Sequence, residues 1–525
     1  MHLRRFFNDY KIYKMKKYIS IFSILLGYAP ANAQDITDAL RYSQTELNGT
    51  ARFSALSGAF GALGGDLSAV TVNPASSVVF ANNQVAVSLS NYGVKNESNY
   101  FGSKNTNRFN NLDFNQAGGV LVFENNNSSS SWKKFAVSIN YDNLTNFDNN
   151  LFANGINNHR SIGDYFLEYA NMGGGISITN LQIQPNSSLS ETYTNFRYFE
   201  DQQAFLGFQA YIIDAASDYN ETSNRKYVSL VPSGGGYYQE NSITNRGYNG
   251  KLAFNASAQY ADKLLIGINL NSHFTDYTRN SSFYESNQNN NTTNNLVKEV
   301  YFNNTLHTYG SGFSFQLGVI YKFTPEFRAG ITYESPTWMR LNDELTQSLK
   351  AISGSINGNL TPDIADPNVT LIYQPYTLST PDKWTFSGAY VFGKEGFISV
   401  DYSTKNYGSI DFSPSNDFKS LNNAIPEILT RANEFRLGIE RKIKEWSLRG
   451  GYRFESSPYK DKNIMGDLTG FSAGIGYNWG ETKLDFAYST AKRTYSERMF
   501  NTGLTDAASV TKVNSNITVT LAFEL

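Results

Sequence analysis

The last ten residues, Asn516 to Leu525, alternate strictly between apolar and polar or small side chains, which limits what the chain can fold into. The apolar side chains share one face of an extended segment: Ile517, Val519, Leu521, Phe523 and Leu525. A period of two predicts a β-strand with one apolar and one polar face. Because the sequence ends on such a strand and opens with an export signal, we expect an outer-membrane β-barrel.

The export signal lies within residues 1–33. Lys16 and Lys17 precede an apolar run from Tyr18 to Tyr28, and Ala31-Asn32-Ala33 follows. A basic segment, an apolar segment and an A-x-A site form the pattern of a secretory signal peptide, with cleavage expected after Ala33. Met15 is a second candidate for the true start, because such signals usually open just before their basic residues.

Composition excludes several classes of protein. The net charge of the 525 residues is -2, with no basic block, so we expect no nucleic-acid partner. The absence of cysteine excludes disulfides, thiolate metal sites and cysteine nucleophiles. The four histidines show no metal-binding spacing, so we expect no metal and no cofactor. No Ser-His-acid set is evident, and we expect no catalytic residues.

Alternating segments recur along the chain and predict about fourteen strands, many of them longer than the ~5–6 residues usual in globular proteins. They are 84–94, 113–124, 132–143, 247–260, 263–286, 298–322, 326–348, 376–392, 395–412, 432–443, 445–459, 467–479, 482–499 and 514–525. The predicted fold is therefore an all-β transmembrane antiparallel barrel spanning 84–525. The extended stretch 227–246 is assigned to a connection, because an even strand number is expected.

The connections between these strands alternate in length without exception. Six are short, including 125–131 and 393–394, and seven are longer, including 95–112 and 349–375. An outer-membrane barrel has short periplasmic turns and longer outer loops. The pattern predicts that both ends of the barrel sequence face the periplasm.

The longest connection, 144–246, is expected to be an extracellular insertion. It contains two predicted helices, Ser161 to Met172 and Asp201 to Ser217. Their apolar residues would either pack together as a lid or line an entrance groove for an apolar ligand. The candidate ligand-binding residues are Phe205, Phe208, Tyr211 and Ile212, which follow a helical spacing, together with Phe166.

Residues 34–83 precede the first strand and are rich in Gly and Ala, without a strand pattern. A barrel of fourteen strands encloses a lumen that side chains alone do not fill. We therefore expect 34–83 to plug the lumen as an N-terminal hatch. Its candidate motif residues are Gly65, Asp66, Asn73, Pro74 and Ala75.

The segment Leu63 to Ala75, LGGDLSAVTVNPA, resembles the N-terminal hatch of the FadL/TodX family of outer-membrane transporters of hydrophobic compounds. Further segments with family-like sequences follow in the same order: Thr324 to Pro336, Leu378 to Tyr402, and Arg436 to Pro458. Together the resemblance covers the hatch and the last 200 residues. The middle, 144–320, is recognisable only by its strand pattern.

The resemblance implies a fourteen-stranded barrel and passive uptake of hydrophobic compounds such as long-chain fatty acids. The family model is capture by outer loops, hatch rearrangement and lateral exit at a kinked third strand. In this sequence the third predicted strand, Lys133 to Asn143, has neither Gly nor Pro, so no kink is expected. The chain also ends in Leu525 rather than the usual terminal aromatic residue.

Two alternatives from other functional classes remain. One is a component of secretion or surface-protein attachment on the same barrel, and the other is an outer-membrane lipid hydrolase. The expected partners are a hydrophobic small molecule or lipid, the outer-membrane bilayer with its lipopolysaccharide, and the barrel-assembly machinery. We expect a monomer. The identity of the ligand does not follow from the sequence.

Overall fold

The computed structural model describes residues 35–127, 129–289, 296–354 and 360–525. The expected signal peptide, residues 1–33, lies outside them. Within the described residues, no helix combines the length and the apolar character needed to cross a bilayer.

Fourteen antiparallel strands close into a barrel within the described part of the chain. The first strand pairs with the last, from Gln84 opposite Glu524 to Asn99 opposite Ser509. The strands are β1 Gln84–Tyr100, β2 Ser103–Glu124, β3 Trp132–Asn146, β4 Tyr237–Tyr260, β5 Leu264–Ser286, β6 Leu296–Lys322, β7 Phe327–Glu334 with Trp338–Gly354, β8 Tyr376–Ser379 with Lys383–Val391, β9 Gly396–Asn406, β10 Arg431–Ile443, β11 Trp446–Glu455, β12 Leu468–Asn478, β13 Thr482–Arg498 and β14 Ala507–Glu524. The predicted fold class is confirmed.

The apolar face of the strands points outward, as expected for a barrel in a membrane. Trp384 and Phe386 on β8 are 41% and 47% exposed, while Thr385 between them is buried. The same alternation on every strand forms an apolar belt edged with aromatic rings, such as Trp446 and Tyr477 with centroids 4.7 Å apart. This belt is the surface that an outer-membrane barrel presents to lipid.

The strands extend much further than predicted at one end of the barrel. The segment 95–112 was expected to be a long outer loop, but this expectation is wrong: β1 and β2 continue to a two-residue turn at Phe101 and Gly102, both with positive φ. Above the belt the outward residues of these strands are polar or glycine, so the apolar outer face fades while the hydrogen-bonded ladder continues. We call this the long-loop end and the opposite end the short-turn end.

The segment 144–246, expected to be one connection, contains additional strands and helices. After β3, the strand Asn149–Asn157 pairs with Tyr237 to Asn245, so half of the stretch 227–246 belongs to β4. Between them lie the cap helices α3 Ile162–Asn171, α4 Ile178–Leu181, α5 Leu189–Asn195 and α6 Phe199–Gln209, and a small hairpin of Ile213–Ala215 with Tyr227–Ser229. The two helices predicted in this region are present with shifted ends.

The third strand pairs continuously from Lys134 to Asn143, within the range expected to have no kink, but it breaks just beyond that range. The pairing of β3 with β4 loses register between Asn143 and Thr145, and the strand is interrupted at Phe147 and Asp148. Asp148 caps this break, since its side chain accepts from the amides of Asn111 and Gly247. Asparagine and aspartate can satisfy backbone groups outside a ladder, so this kink needs neither Gly nor Pro.

Candidate functional site

Residues 35–83, here named the luminal segment, lie inside the barrel. They contain the short helices α1 Ile36–Arg41 and α2 Ala51–Ala55 and the 3₁₀ helices Ser68–Thr71 and Pro74–Val79. The segment hydrogen bonds to strands around the wall, including β6 through Val319, β9 through Asp401 and β14 through Thr520. It therefore fills the lumen nearest the short-turn end.

Asn73 holds a tight turn within the luminal segment. Its side-chain amide donates to the carbonyl of Gly61 at 2.7 Å and to that of Val319 on β6 at 3.2 Å. Its Oδ1 accepts from the backbone N–H of Ala75 at 3.1 Å, which caps the 3₁₀ helix that Pro74 opens. Proline suits a first helical position because its missing N–H would have no partner there. The fully buried Asn73 thus joins two parts of the segment to the wall.

Three wall glycines make room for this turn. A Cβ on Gly267 would clash with the backbone of Pro74, one on Gly318 would lie 2.6 Å from Cδ of Pro74, and one on Gly330 would lie 2.5 Å from the carbonyl oxygen of Gly61. Gly267 and Gly318 are direct cross-strand partners on β5 and β6. The notch formed by these glycines lets the backbone of the luminal segment pack directly against the backbone of the wall. Close approach of another backbone is a common reason for glycine in a strand.

A second notch lies on the far side of the barrel. Gly438 on β10 and Gly451 on β11 are cross-strand partners, and a Cβ on either would lie within 3.0 Å of the backbone of Leu56. Between the notches, Asp401 accepts from the backbone N–H groups of Phe60 and Gly61 at 3.0 Å each. The luminal segment is therefore fixed to the wall by backbone contacts on two sides.

Gly65 and Asp66 form a separate turn. Gly65 has φ +70°, which glycine adopts without strain, and its carbonyl accepts from Arg52 at 3.0 Å. The carboxylate of Asp66 accepts from the hydroxyl of Thr50 at 2.9 Å and from the N–H of Ser68 at 2.9 Å. The five predicted motif residues thus all lie in the luminal segment, but at two turns with different partners.

A layer of buried charges lies above the notches. Glu434 on β10 accepts hydrogen bonds from Arg436 at 2.7 Å and Lys383 at 3.3 Å, and forms an ion pair with Arg453 at 2.8 Å. Glu455 extends this network on the wall. Such a layer is costly for an apolar molecule to cross, because passage would remove water or partners from charged groups.

An apolar layer lies on the long-loop side of these charges. On β8, for example, Leu378 and Tyr376 belong to it, while Lys383, closer to the short turns, belongs to the charged layer. Leu40 and Tyr42 of the luminal segment enter this layer. Phe147, at the break in β3, joins it too, with its ring 6.1 Å from that of Tyr42 and 5.2 Å from that of Tyr277. The break in the wall is therefore in contact with apolar interior.

The cap helices form a second apolar layer that contains most of the predicted ligand-binding residues. Phe205, Ile212 and Phe166 are fully buried. Phe208 is partly buried and packs against Tyr227, whereas Tyr211 is 58% exposed. The helix α6 ends at Gln209 and Tyr211 has φ +52°, so the spacing that predicted one stripe is interrupted. The structure brings Phe166, Phe205 and Ile212 together but leaves Tyr211 apart.

A seam separates β2 from Asn149–Asn157, the strand that follows the break in β3 and is here named the continuation of β3. Backbone pairing between β2 and β3 covers only Gln116 to Glu124, so the rest of β2 pairs with β1 alone in the described structure. Side chains close the seam instead: Asn105 on β2 donates to Oδ1 of Asn154 at 2.8 Å, and Oδ1 of Asn107 on β2 accepts from the backbone N–H of Phe152 at 3.0 Å. The seam is thus joined by polar side chains that can separate more readily than a strand ladder.

His273 and His307 do not form a catalytic set in the described part of the chain. His273 Nε2 lies 2.8 Å from Ser314 Oγ inside the barrel, and among the described residues no carboxylate hydrogen bonds to this ring. His307 lies on the outer face between Asp276 and Glu344. No group of three metal-ligating side chains occurs among the described residues.

Sequence reasoning missed the wall glycines, Asp401 and the role of Phe147. The glycines gave a weak signal, since Gly267, Gly318 and Gly330 interrupt alternating strands. Asp401 gave a second weak signal, because it is an acidic residue on the inward face of a predicted strand. Phe147 carried no local signal because its environment depends on β3 breaking next to the luminal segment.

Residues 232–522 match the model of a family described as outer membrane protein transport protein (OMPP1/FadL/TodX). The crystal structure of a FadL homologue from Pseudomonas aeruginosa shares 11% identity with a TM-score of 0.52, covering 91% of this chain and 99% of that chain. The toluene transporter TodX of P. putida shares 13% identity with a TM-score of 0.48, over 91% and 99% of the two chains. No curated protein sequence matches the chain.

Proposed function

Since the chain belongs to the OMPP1/FadL/TodX family of outer-membrane transport proteins, we propose that it carries hydrophobic compounds, such as long-chain fatty acids, passively into the cell. The family consists of transport channels rather than enzymes and places the chain in the outer membrane as a β-barrel. The class of compound, the route and the moving parts are our proposal. The observation that carries it is the contact between the apolar interior and the broken wall at Phe147.

In this proposal, the ligand is captured under the cap and passes into the apolar layer around Tyr42 and Tyr277. Burial of an apolar side chain or of ligand carbon of similar size is worth roughly 1.5–3 kcal/mol, so both layers favour an alkyl or aromatic ligand. The charged layer around Glu434 disfavours further movement toward the short turns. The remaining exit is lateral, through the seam between β2 and the continuation of β3.

The cap must loosen for a ligand to enter, because Phe205, Phe166 and Ile212 fill its core. Phe208 is the partly buried member of the predicted set, and we propose it as the first contact of an entering ligand. The luminal segment would then shift at the Asn73 turn. A monomer suffices for this route, because the apolar layers and the seam belong to one chain.

The experiment that tests transport is uptake of radiolabelled fatty acid by a deletion strain carrying wild-type or variant protein. Phe147→Asp puts a charge where the ligand would leave, so uptake should fall to about a tenth or less, since desolvating that charge costs more than the lost contact. Phe101→Asp, at an exposed turn, is the matched control and should transport normally. Equal uptake by Phe147→Asp and wild type would contradict the lateral route.

The orientation has its own test. Protease added to intact cells should cut within 144–246 and spare 34–83, while 125–131 and 393–394 should be protected in the periplasm. Cleavage of intact cells near Asn126 or Gly393 would contradict this orientation. Mass spectrometry of lipid that copurifies with the protein would identify the class of ligand.

A further inference from the structure

A row of cations crosses four neighbouring strands on the outer face of the barrel, outside the transport route. In register, Lys492 on β13 faces Val513 on β14, Val513 faces Lys95 on β1, and Lys95 faces Arg108 on β2. All three cations point outward; Arg108 and Lys492 are exposed and Lys95 is partly exposed. With strands ~4.8 Å apart, the row spans about 14 Å. We name Lys95, Arg108 and Lys492 the cationic row.

The positive charge of the cationic row is only partly neutralised by its neighbours. Lys95 forms an ion pair with Glu97 at 2.5 Å, and Arg108 and Lys492 interact with the same carboxylate. Three positive charges therefore share one negative charge. Like charges directly opposite each other on neighbouring strands, such as Lys95 and Arg108, destabilise a sheet unless an anion compensates them. The local arrangement favours a bound anion.

The height of the row identifies the kind of anion. Lys95 lies six residues beyond Leu89, and Arg108 and Lys492 lie four residues beyond Leu112 and Tyr488, which are exposed members of the apolar belt. At ~3.3 Å per residue and a tilt of ~40°, this is about 10–15 Å above the belt. That height at the long-loop end is the headgroup region of the outer leaflet.

The row is specific to one side of the barrel. At corresponding positions on β5 and β7, six residues beyond Leu270 and Trp338, the outer face carries Asp276 and Glu344. These carboxylates flank His307. Hydroxyl side chains of Thr106, Thr490 and Thr511 surround the cations and provide further donors.

We infer that the cationic row binds the phosphorylated saccharide headgroup of the outer-leaflet glycolipid, lipopolysaccharide. The inference rests on the proposed function only for its orientation, which places the long-loop end outside. Phosphate accepts several charge-assisted hydrogen bonds at once, which lysine and arginine supply.

The test uses the full chain purified into nanodiscs without lipopolysaccharide, titrated with bisphosphorylated lipid A bearing its two inner sugars. The triple variant Lys95→Gln, Arg108→Gln, Lys492→Gln should bind about a hundredfold more weakly, since each cation near an anionic lipid surface contributes roughly a factor of five. The matched control is Lys263→Gln, Lys394→Gln, Lys444→Gln, which removes three exposed lysines at the short-turn end and should bind like wild type.

A second variant gives an effect that misfolding does not produce. Glu97→Gln removes the competing carboxylate and should bind lipid A several-fold more tightly. Lipid A stripped of phosphate should bind wild type and the triple variant equally. Equal affinity of wild type and triple variant for phosphorylated lipid A, or an equal loss in the control triple, would overturn the inference. Fatty-acid uptake by the triple variant reports separately on transport and should stay at the wild-type level.

Discussion

The side chain of Asn73 lies in the space that a side chain at residue 318 would need. Gly318 leaves this space open, and Asn73 uses it to reach the carbonyl of Val319 on the same strand at 3.2 Å. The contact couples the plug to the wall without a charge or an apolar core. A substitution at either Asn73 or Gly318 removes this contact. Variants at these two positions therefore test whether the contact keeps the luminal segment in place.

Gly318→Ala should displace the plug while the barrel still assembles. Its new methyl group would meet both Asn73 and Pro74, whose backbone is confined by Gly267. Overpacking of this kind typically costs ~1–3 kcal/mol. We expect higher single-channel conductance in planar bilayers and greater entry of small hydrophilic dyes. Gly388→Ala is the matched control, because a Cβ there meets nothing within 4 Å, and its conductance should equal wild type.

Asn73→Ala should insert normally and change leakage of small solutes or uptake of hydrophobic compound. The variant loses two donated bonds and one accepted bond, and each costs about 1 kcal/mol or more when a buried partner is left unpaired. Conductance and fatty-acid uptake would be measured on the same strain. Wild-type values in both assays would reduce the Asn-Pro-Ala motif to a folding role. Asn82→Ala, at an exposed position, is the control.

Phe208→Asp distinguishes a ligand-binding role from lid packing. If Phe208 contacts an entering ligand, affinity for a hydrophobic ligand should fall while the heat-modifiable gel migration of the barrel stays intact. If it only packs against Tyr227, the variant should become protease-sensitive within the cap, with affinity unchanged in the intact fraction. Both quantities would be measured on one preparation.

Variants of the fully buried Phe205 and the exposed Tyr211 provide reference values for the protease sensitivity of the cap. Phe205→Ala should open the cap to protease, because emptying a site of this size costs ~3–5 kcal/mol. Tyr211→Ala should leave the cap resistant, since the ring is mostly exposed. A resistant Phe205→Ala variant would contradict the packed core described above.

Glu434→Gln should destabilise the barrel more than any surface ion pair. The change leaves Arg436, Arg453 and Lys383 without their shared carboxylate, and breaking a buried pair costs ~3–5 kcal/mol. We expect a lower temperature for loss of the folded gel band. Glu395→Gln breaks the exposed pair with Arg441 and should have an effect within about 1 kcal/mol. Equal midpoints for the two variants would show that the charged layer is hydrated and tolerant.

The barrel follows from the order of apolar and polar residues alone, because alternation along a strand is a local property of the chain. Phe135, Val137 and Ile139 face outward on β3 as their spacing predicts, and the number of strands follows from repeating this test. The family resemblance at Leu63 to Ala75 rested on equally local information. These features need no knowledge of which segments meet in space.

The organisation of the interior depends instead on contacts between segments that are distant in the sequence. Phe205 and Tyr211 are both apolar residues at a helical spacing, yet one is buried and the other exposed because α6 ends between them. The break at Phe147 and the fit of Asn73 against Gly318 depend on segments far apart in sequence. Such contacts arise from closure of the barrel around its plug, and a period read along one strand contains no information about the distant chain that will pack against it.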